Sequence, residues 1–379
     1  MFDERSEVLV LGTMPSPASR EAAFFYGHPR NRFWPVLAAL FDEPVPEDNA
    51  ERTDLLLRHH IALWDVLASC DIRGASDASI SNEQPNDLMR VIGAAPIRHV
   101  FCTGATSARL YRKLCEATCG MPAEQLPSTS PANAAWSLPR LIEAYRPLAQ
   151  TVTVFNPPAL NVPDVVALEQ AIAAAGTSLA TLMRRAGRFL AYEAKKLLGD
   201  ASGPVVILCG SGNNGGDGWV AGEYLDRWGV PARIVSLLAP EDLVAEPART
   251  EALRASAALS DRSSVVIAPR LEELEALLAE SPLAIDALLG TGFAHSEVRA
   301  PLDGWIRALN AARSCETTVV AADVPSGMSA QTGAVAADAV RADLTVTMIA
   351  PKPGLVAPQS APFCGHVKVA PLAYIEPLL

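Results

Sequence analysis

The chain has 379 residues, half of them hydrophobic, and a formal net charge of −11. That length is enough for two cores rather than one, and the charge excludes a general nucleic-acid coat protein. No uninterrupted apolar run reaches the length of a membrane span, and the opening MFDERSEVLVLG lacks the pattern of a secretory signal, so no membrane partner is expected.

The charge is spread: residues 1–150 carry −4 and the remainder −7. Any nucleic-acid contact must therefore come from a local patch. The seven cysteines, Cys70, Cys102, Cys115, Cys119, Cys209, Cys315 and Cys364, include no Cys-x-x-Cys pair and no His or further Cys at ligand spacing. They read as reduced thiols of a cytoplasmic protein rather than as a zinc, iron–sulfur or disulfide framework.

In chain order, Glu7–Leu11 is an apolar strand running into Gly-Thr-Met-Pro. Arg32–Leu40 and Ala50–His59 carry helical periodicity, Ile61–Val66 and His99–Cys102 are strands, Ala105–Thr118 is an amphipathic helix and Ser137–Tyr145 a last one. The prolines of Tyr145–Val162 mark the joint. Beyond it lies a long helical stretch, Val165–Leu198, broken near Gly176. Strand Val205–Cys209 then leads through a glycine loop into a helix over Trp219–Trp228. Strands follow at Ala232–Leu237, Leu283–Leu288, Thr318–Ala322 and Leu344–Ile349. Strands alternating with helices predict an α/β protein of two domains, 1–150 and 156–379. Each is expected to be a mainly parallel sheet with helices on both faces and its ligand beyond the carboxyl ends of the strands.

Three turns of the second half follow strands. Gly210-Ser-Gly-Asn-Asn-Gly215 fits G-x-G-x-x-G, a weak dinucleotide signal alone. The full loop, GSGNNGGDGWV, adds Asp217, which would repel a phosphate and suits hydroxyls or a cation. IDALLGTGF brings Asp286 to a strand tip, and AADVPSGM brings Asp323 to another. Either alone reads as a capped turn; three such turns on one sheet edge read as a site. A nicotinamide dehydrogenase would want an acid at the end of the strand near Leu237, and the sequence there is SLLAPED.

These three segments, in this order, resemble the site motifs of the NAD(P)H-hydrate epimerase domain, and Ala350–Ala370 resembles its closing hairpin-like segment. The resemblance runs from about Pro163 to the C-terminus. It implies a Rossmann-like epimerase fold and a pocket for hydrated NADH or NADPH lined by Asn213, Asn214, Gly215, Gly216 and Asp217. Gly290, Thr291, Gly292, Phe293, Ala294, His295 and Ser296 would line it too. It further implies a potassium ion held by Asn214, Asp286 and Ser326, with Asp323 contacting substrate and handling the proton as the C6 hydroxyl leaves and returns. Oxygen-only ligands suit a hard alkali cation. The family's usual acid is replaced by Arg184, which bears on a helix contact or a homodimer surface. The dehydratase that often accompanies this domain has no counterpart in these residues.

In the first half, LGTMPSPASREAAFFYGHPRNRFW reads by composition as a loop with ordinary core aromatics, and LPSTSPANAAW (Leu126–Trp136) is a loop whose prolines and small hydroxyl residues suit a phosphate backbone. They resemble the two motifs of the hypoxanthine-DNA glycosylase branch of the uracil-DNA glycosylase superfamily. Trp64–Cys70 and Ser76–Asp87 are similar to its connecting segments. The resemblance implies a uracil-DNA glycosylase-like fold acting on DNA with deaminated bases. Asn31 would position the water, Phe25 or Tyr26 would stack the extruded base, and Ser130 would contact the DNA. A base inside a duplex must be flipped out to be reached. Many relatives have an Asn near Thr103, which bears on base preference. Lys113, the one lysine of residues 1–150, lies in a helix, which disfavours a Schiff-base step. Arg30 and Arg32, with Arg109 and Arg112, are candidates for the phosphate patch. Two other readings stay open: one domain catalytic and the other a binding module, or a nucleotide-dependent oxidoreductase.

Overall fold

A computed structural model describes residues 1–73 and 79–379; Ser76–Ala78 of the second connecting segment lie outside them. The chain separates into two compact units, Met1–Asn156 with Tyr374–Pro377 and Leu379, and Pro157–Ala373 with Leu378.

The first unit runs β1 (Val8–Gly12), α1 (Pro17–Glu21), α2 (Phe33–Leu40), α3 (Asn49–Arg58), β2 (Ile61–Asp65), β3 (Leu67–Asp71) and β4 (Ser81–Pro85). It continues with α4 (Met89–Ile92), β5 (His99–Thr103), α5 (Ala105–Leu114), α6 (Glu116–Cys119), β6 (Ala123–Leu126) and α7 (Leu138–Thr151). Four strands form a parallel sheet in the order β2-β1-β5-β6. β3 and β4 make a separate antiparallel ribbon. Because side chains alternate along a strand, β1 feeds two cores. Val8 and Val10 pack with Phe33, Leu56 and Leu141. Leu9 and Leu11 pack with Leu110 and Tyr111 on the other face.

Two expectations are corrected. The last helix runs to Thr151 through Pro147, because Leu141, Tyr145 and Leu148 keep one face buried; Pro147 forfeits one backbone bond, and the apolar face offsets it. The short, polar β6 (AEQL) carried no strand signal and is held at the sheet's edge by pairing with β5.

The second unit begins with α8 (Val162–Ala174) and α9 (Leu179–Leu198). Then come β7 (Val205–Cys209), α10 (Asn213–Arg227), β8 (Ala232–Ser236), α11 (Ala248–Ala258), β9 (Ser264–Ile267), α12 (Leu271–Ala279) and β10 (Leu283–Ala287). α13 (Leu302–Ser314), β11 (Thr318–Ala322), β12 (Leu344–Met348), α14 (Ala361–Cys364) and β13 (His366–Ala370) complete it. Its seven strands are parallel in the order β13-β12-β11-β10-β7-β8-β9. Val206, Leu208, Ala284 and Val319 face one core with Trp305 and Leu309 of α13. α9 and α10 cover the other side, where Gly218 and Gly222 let α10 close onto Cys209 and Ile234. The closing segment is no hairpin: β13 lies parallel to β12, reached through a crossover that includes α14. Among the described residues no single helix is long and apolar enough to cross a membrane.

Candidate functional site

α10 starts at Asn213, with Gly212 as its cap, six residues before the apolar run at Trp219 that periodicity picks out. The glycines explain this. A Cβ on Gly215 would collide with the Gly210 carbonyl, and one on Gly216 would sit 2.6 Å from Met183 Sδ. These two residues thus serve the close packing of loop, helix and α9. The face left open carries Ser211, Gly212, Asn213, Asn214 and Asp217, which line a cleft of about 680 Å³.

The cleft sits at the carboxyl ends of β7, β10 and β11. It brings together Asn213, Asn214, Asp217, Gly290, Thr291, Gly292, Phe293, His295 and Asp323. Ala294 and Ser296 are exposed on the same loop and outside the lining. Apolar walls come from α8 and α9, through Val166, Leu179, Leu182 and Met183. None of these was marked by sequence, because an apolar helical residue facing a cleft has the same pattern as one facing a core. Arg184, the departure from the family's acid, faces Glu251 of α11 at 3.9 Å.

Asp323 follows β11 with φ 61, the left-handed conformation that turns its side chain inward. One oxygen, Oδ1, accepts from Lys352 Nζ, from the Met348 amide at 3.0 Å and from the Thr347 hydroxyl at 3.1 Å. Lys352 is buried, and its ammonium also donates to Thr347 Oγ1 and the Met348 carbonyl. Its three protons are thus spent, and none of these bonds engages Asp323 Oδ2. Two more carboxyls, Asp217 and Glu169, line the same cleft. Three carboxyls face one ammonium. Burial, then repulsion from Asp323 and Glu169, pushes the Asp217 carboxyl well above the carboxylate range. Burial and Asp323 raise Glu169 in the same way. Glu169 and Lys352 were not singled out in sequence; the available signal was Lys-Pro-Gly in the closing segment.

Beside the cleft, Asn214, Asp286 and Ser326 meet around the backbone of Leu289. Asn214 Nδ2 donates to the Leu289 carbonyl at 3.1 Å, and the Leu289 amide donates to Ser326 Oγ at 2.8 Å. Ser326 donates to Asp286 through its hydroxyl at 2.6 Å and its amide at 2.8 Å. Asp286 is fully buried, and burial moves its carboxyl up to about 6 against these hydrogen bonds. Asn214 Oδ1 is buried with no hydrogen-bond partner.

In the first unit the two loops are tied at the carboxyl edge of the sheet. Arg32 donates to the carbonyls of Thr129 at 3.3 Å, Ser130 at 2.5 Å, Asn133 at 3.1 Å and Trp136. Its guanidinium is thereby a brace for the Leu126–Trp136 loop. This corrects its expected place in the phosphate patch; Arg30, Arg109 and Arg112 are exposed. Asn31 Oδ1 accepts from the Phe33 amide at 2.9 Å, at the start of α2. Tyr26 stacks on Phe33, centroids 4.0 Å apart, and hydrogen-bonds Thr103 Oγ1 at 2.7 Å. Half-buried Phe25 packs edge-on to Phe24 at 6.1 Å. Ser130 Oγ accepts from the Ala132 amide at 3.3 Å.

Two doubly wound units, each with its loops gathered at the carboxyl ends of parallel strands, define a pair of ligand-handling domains. Residues 1–150 match the uracil DNA glycosylase superfamily. Residues 179–354 match the family described as YjeF-related protein N-terminus. An NAD(P)H-hydrate epimerase of Pirellula staleyi is 35% identical over 213 residues, which are 56% of this chain and 90% of that protein. One of Rhodopirellula baltica is 34% identical over 190 residues, 50% of this chain and 72% of that protein. A bifunctional NAD(P)H-hydrate repair enzyme of Salinibacter ruber is 40% identical over 203 residues, 50% of this chain, and the match spans 35% of its length. The chain thus covers about a third of such bifunctional relatives. It belongs to the NAD(P)H-hydrate epimerase family through its second unit, and its first unit is a uracil DNA glycosylase superfamily domain.

Proposed function

We propose that the second unit interconverts the two C6 epimers of hydrated NADH and NADPH, and that the first removes a deaminated base, hypoxanthine, from DNA. The observation that carries the epimerase reading is Asp323: a carboxylate at a cleft wall, one oxygen fixed by a buried ammonium and the other left for a ligand.

In hydrated NADH the C6 hydroxyl is adjacent to the ring nitrogen. The nitrogen lone pair forms the N1=C6 bond as the C6–O bond breaks, and the hydroxyl takes a proton and leaves as water. Water then returns to the other face and gives a proton back. No electron leaves the nicotinamide, so no redox partner is needed. Asp323 in its acid form gives the leaving hydroxyl its proton and takes one back from the returning water. Asp217, whose carboxyl is pushed up by burial and by repulsion from Asp323 and Glu169, accepts a hydrogen bond when ionised and donates one when protonated. Asn213, Asn214, Asp217 and the Gly290–Ser296 turn hold the dinucleotide. Gly215 and Gly216 shape the turn that presents them.

Potassium suits the cluster beside the cleft: the donors are oxygens, and among the described residues Asp286 is a buried carboxyl without a basic partner and Asn214 Oδ1 a buried acceptor without a donor. Asn214, Asp286 and Ser326 would hold it, and it would supply positive charge that offsets the burial of Asp286. An oxidoreductase is disfavoured, because β8 ends at Ser236 and Glu241 and Asp242 lie later in an exposed turn.

For the first unit, superfamily membership and the convergence of both loops on one sheet edge support base excision. Asn31 positions the water, Phe25 or Tyr26 contacts the extruded base, and Ser130 contacts the strand. Incubating the chain with one purified epimer of hydrated NADH, and with duplexes containing deoxyinosine or deoxyuridine, tests both readings. Formation of the second epimer and release of hypoxanthine are expected. An epimer ratio that never moves would refute the first reading, and uncut DNA with every deaminated base the second.

A further inference from the structure

Asp65 closes β2 and pairs in register with Gly12, the last residue of β1. Asp65 is 7% exposed, and no described residue donates a hydrogen bond to its carboxylate. A Cβ on Gly12 would run into Asp65 Oδ1 and stand 3.3 Å from the Tyr26 hydroxyl. Gly12 is therefore glycine because the Asp65 carboxylate lies over it. Tyr26 in turn hydrogen-bonds Thr103, the last residue of β5. The carboxylate thus stands at the carboxyl end of β2, beside the start of the loop that follows β1.

The neighbouring polar groups are otherwise engaged. The turn Gly12-Thr13-Met14-Pro15 offers no acid or amide side chain, and Asn31 Oδ1 is taken by the Phe33 amide. A buried carboxylate without a donor is costly to keep as structure alone. In a hydrolytic site it has a use.

We propose that Asp65 accepts the proton of the water that displaces the base in the first unit, an assignment that rests on the base-excision reading above. The C1′–N bond breaks and its electron pair leaves with the base, which takes a proton from solvent. The water oxygen bonds to C1′, and the proton it sheds passes to the Asp65 carboxylate. Asn31 holds that water; Asp65 makes it a nucleophile. Burial raises the Asp65 carboxyl from 3.8 to about 7, opposed by the amino group of Met1, and Tyr26 is the other titratable group facing it. Such a group changes charge across neutral pH, the range in which a general base works best.

The test is single-turnover excision by the full chain on an end-labelled duplex carrying deoxyinosine or deoxyuridine. The wild-type rate should rise with pH and level off above about 7. Asp65→Asn should lower it by at least about 100-fold, the low end for losing a general base, and remove the rising limb. Affinity for the duplex should be unchanged. Gly12→Ala, which pushes the carboxylate aside, should lower the rate without removing any ionisable group, so a poorly folded Asp65→Asn leaves two readouts standing. Excision by Asp65→Asn at the wild-type rate, or a flat wild-type pH profile, would overturn the assignment alone. A wild type that excises nothing would remove the base-excision reading and Asp65's role with it.

Discussion

Asp323 and Lys352 show how much one buried pair decides. Removing one partner of such a pair strands the other charge, which costs about 3–5 kcal/mol. Lys352→Met should therefore lower unfolding stability by that order in denaturant titrations, and should also slow epimerisation. Lys352→Arg should restore part of the stability but little of the rate, because a planar guanidinium cannot reproduce the contacts to Asp323, Thr347 and the Met348 carbonyl. Stability unaffected by Lys352→Met would mean that the pair is solvated. Asp65 gives a pH signature of its own. Its unfolded carboxyl ionises near 3.8 and its folded one near 7. The folded state thus binds the extra proton between those values, and this contribution to stability is full below about 4 and lost as pH rises through 7. The loss is at most about 4 kcal/mol. Relative to wild type, Asp65→Asn should melt higher at pH 7.5 than it does at pH 4.5; an equal difference at both would contradict the shift. Asp323 stood out in the sequence because it sits in a turn after a strand, and Asn31 was singled out only by the family resemblance. Asp65 and Lys352 were not: a lone acid ending an apolar strand, or a lysine before Pro-Gly, acquires meaning only from what folds against it.

Among the elements, α10 departs furthest from its pattern. Five glycines in GSGNNGGDG suggested a loop cradling a ligand, and periodicity started the helix at Trp219. Packing starts it at Asn213, since Gly215 and Gly216 are where backbone and Met183 come too close for a side chain. Gly212, where an added Cβ would meet nothing within 4 Å, lines the cleft instead. Gly215→Ala should destabilise by about 1–3 kcal/mol or more through overpacking, and Gly212→Ala by under about 1 kcal/mol. Thermal unfolding of the two variants separates these roles, and equal melting would contradict the division. The central strands β1, β5, β7, β10, β11 and β12 were legible because buried parallel strands are continuous apolar runs. The edge strands β6, β9 and β13 were not, since half-exposed edges carry mixed side chains. α7 outran its proline because its apolar face continues to Leu148.

At the scale of the molecule, the joint between two α/β patterns was legible, but the tail was not. Residues Tyr374–Pro377 cluster with the first unit, where Glu376 pairs with His60 at 2.7 Å and Tyr374 hydrogen-bonds Asp3 at 2.5 Å. Such pairing across more than 300 positions leaves no periodic trace. Deleting 374–379 should lower the stability of the first unit by about 1–3 kcal/mol, the cost of stranding buried polar partners, and leave the epimerase cleft intact. Loss of epimerisation in that truncation would argue against two independent units. The central claim is that one chain carries two separate repair chemistries. It is tested most directly by assaying a single preparation for epimerisation of hydrated NADH and for excision of hypoxanthine, with Asp323→Asn and Asn31→Ala alongside. The account predicts that Asp323→Asn abolishes epimerisation and spares excision, and that Asn31→Ala does the reverse. A wild type that leaves the epimer ratio fixed, or either substitution silencing both reactions, would contradict it.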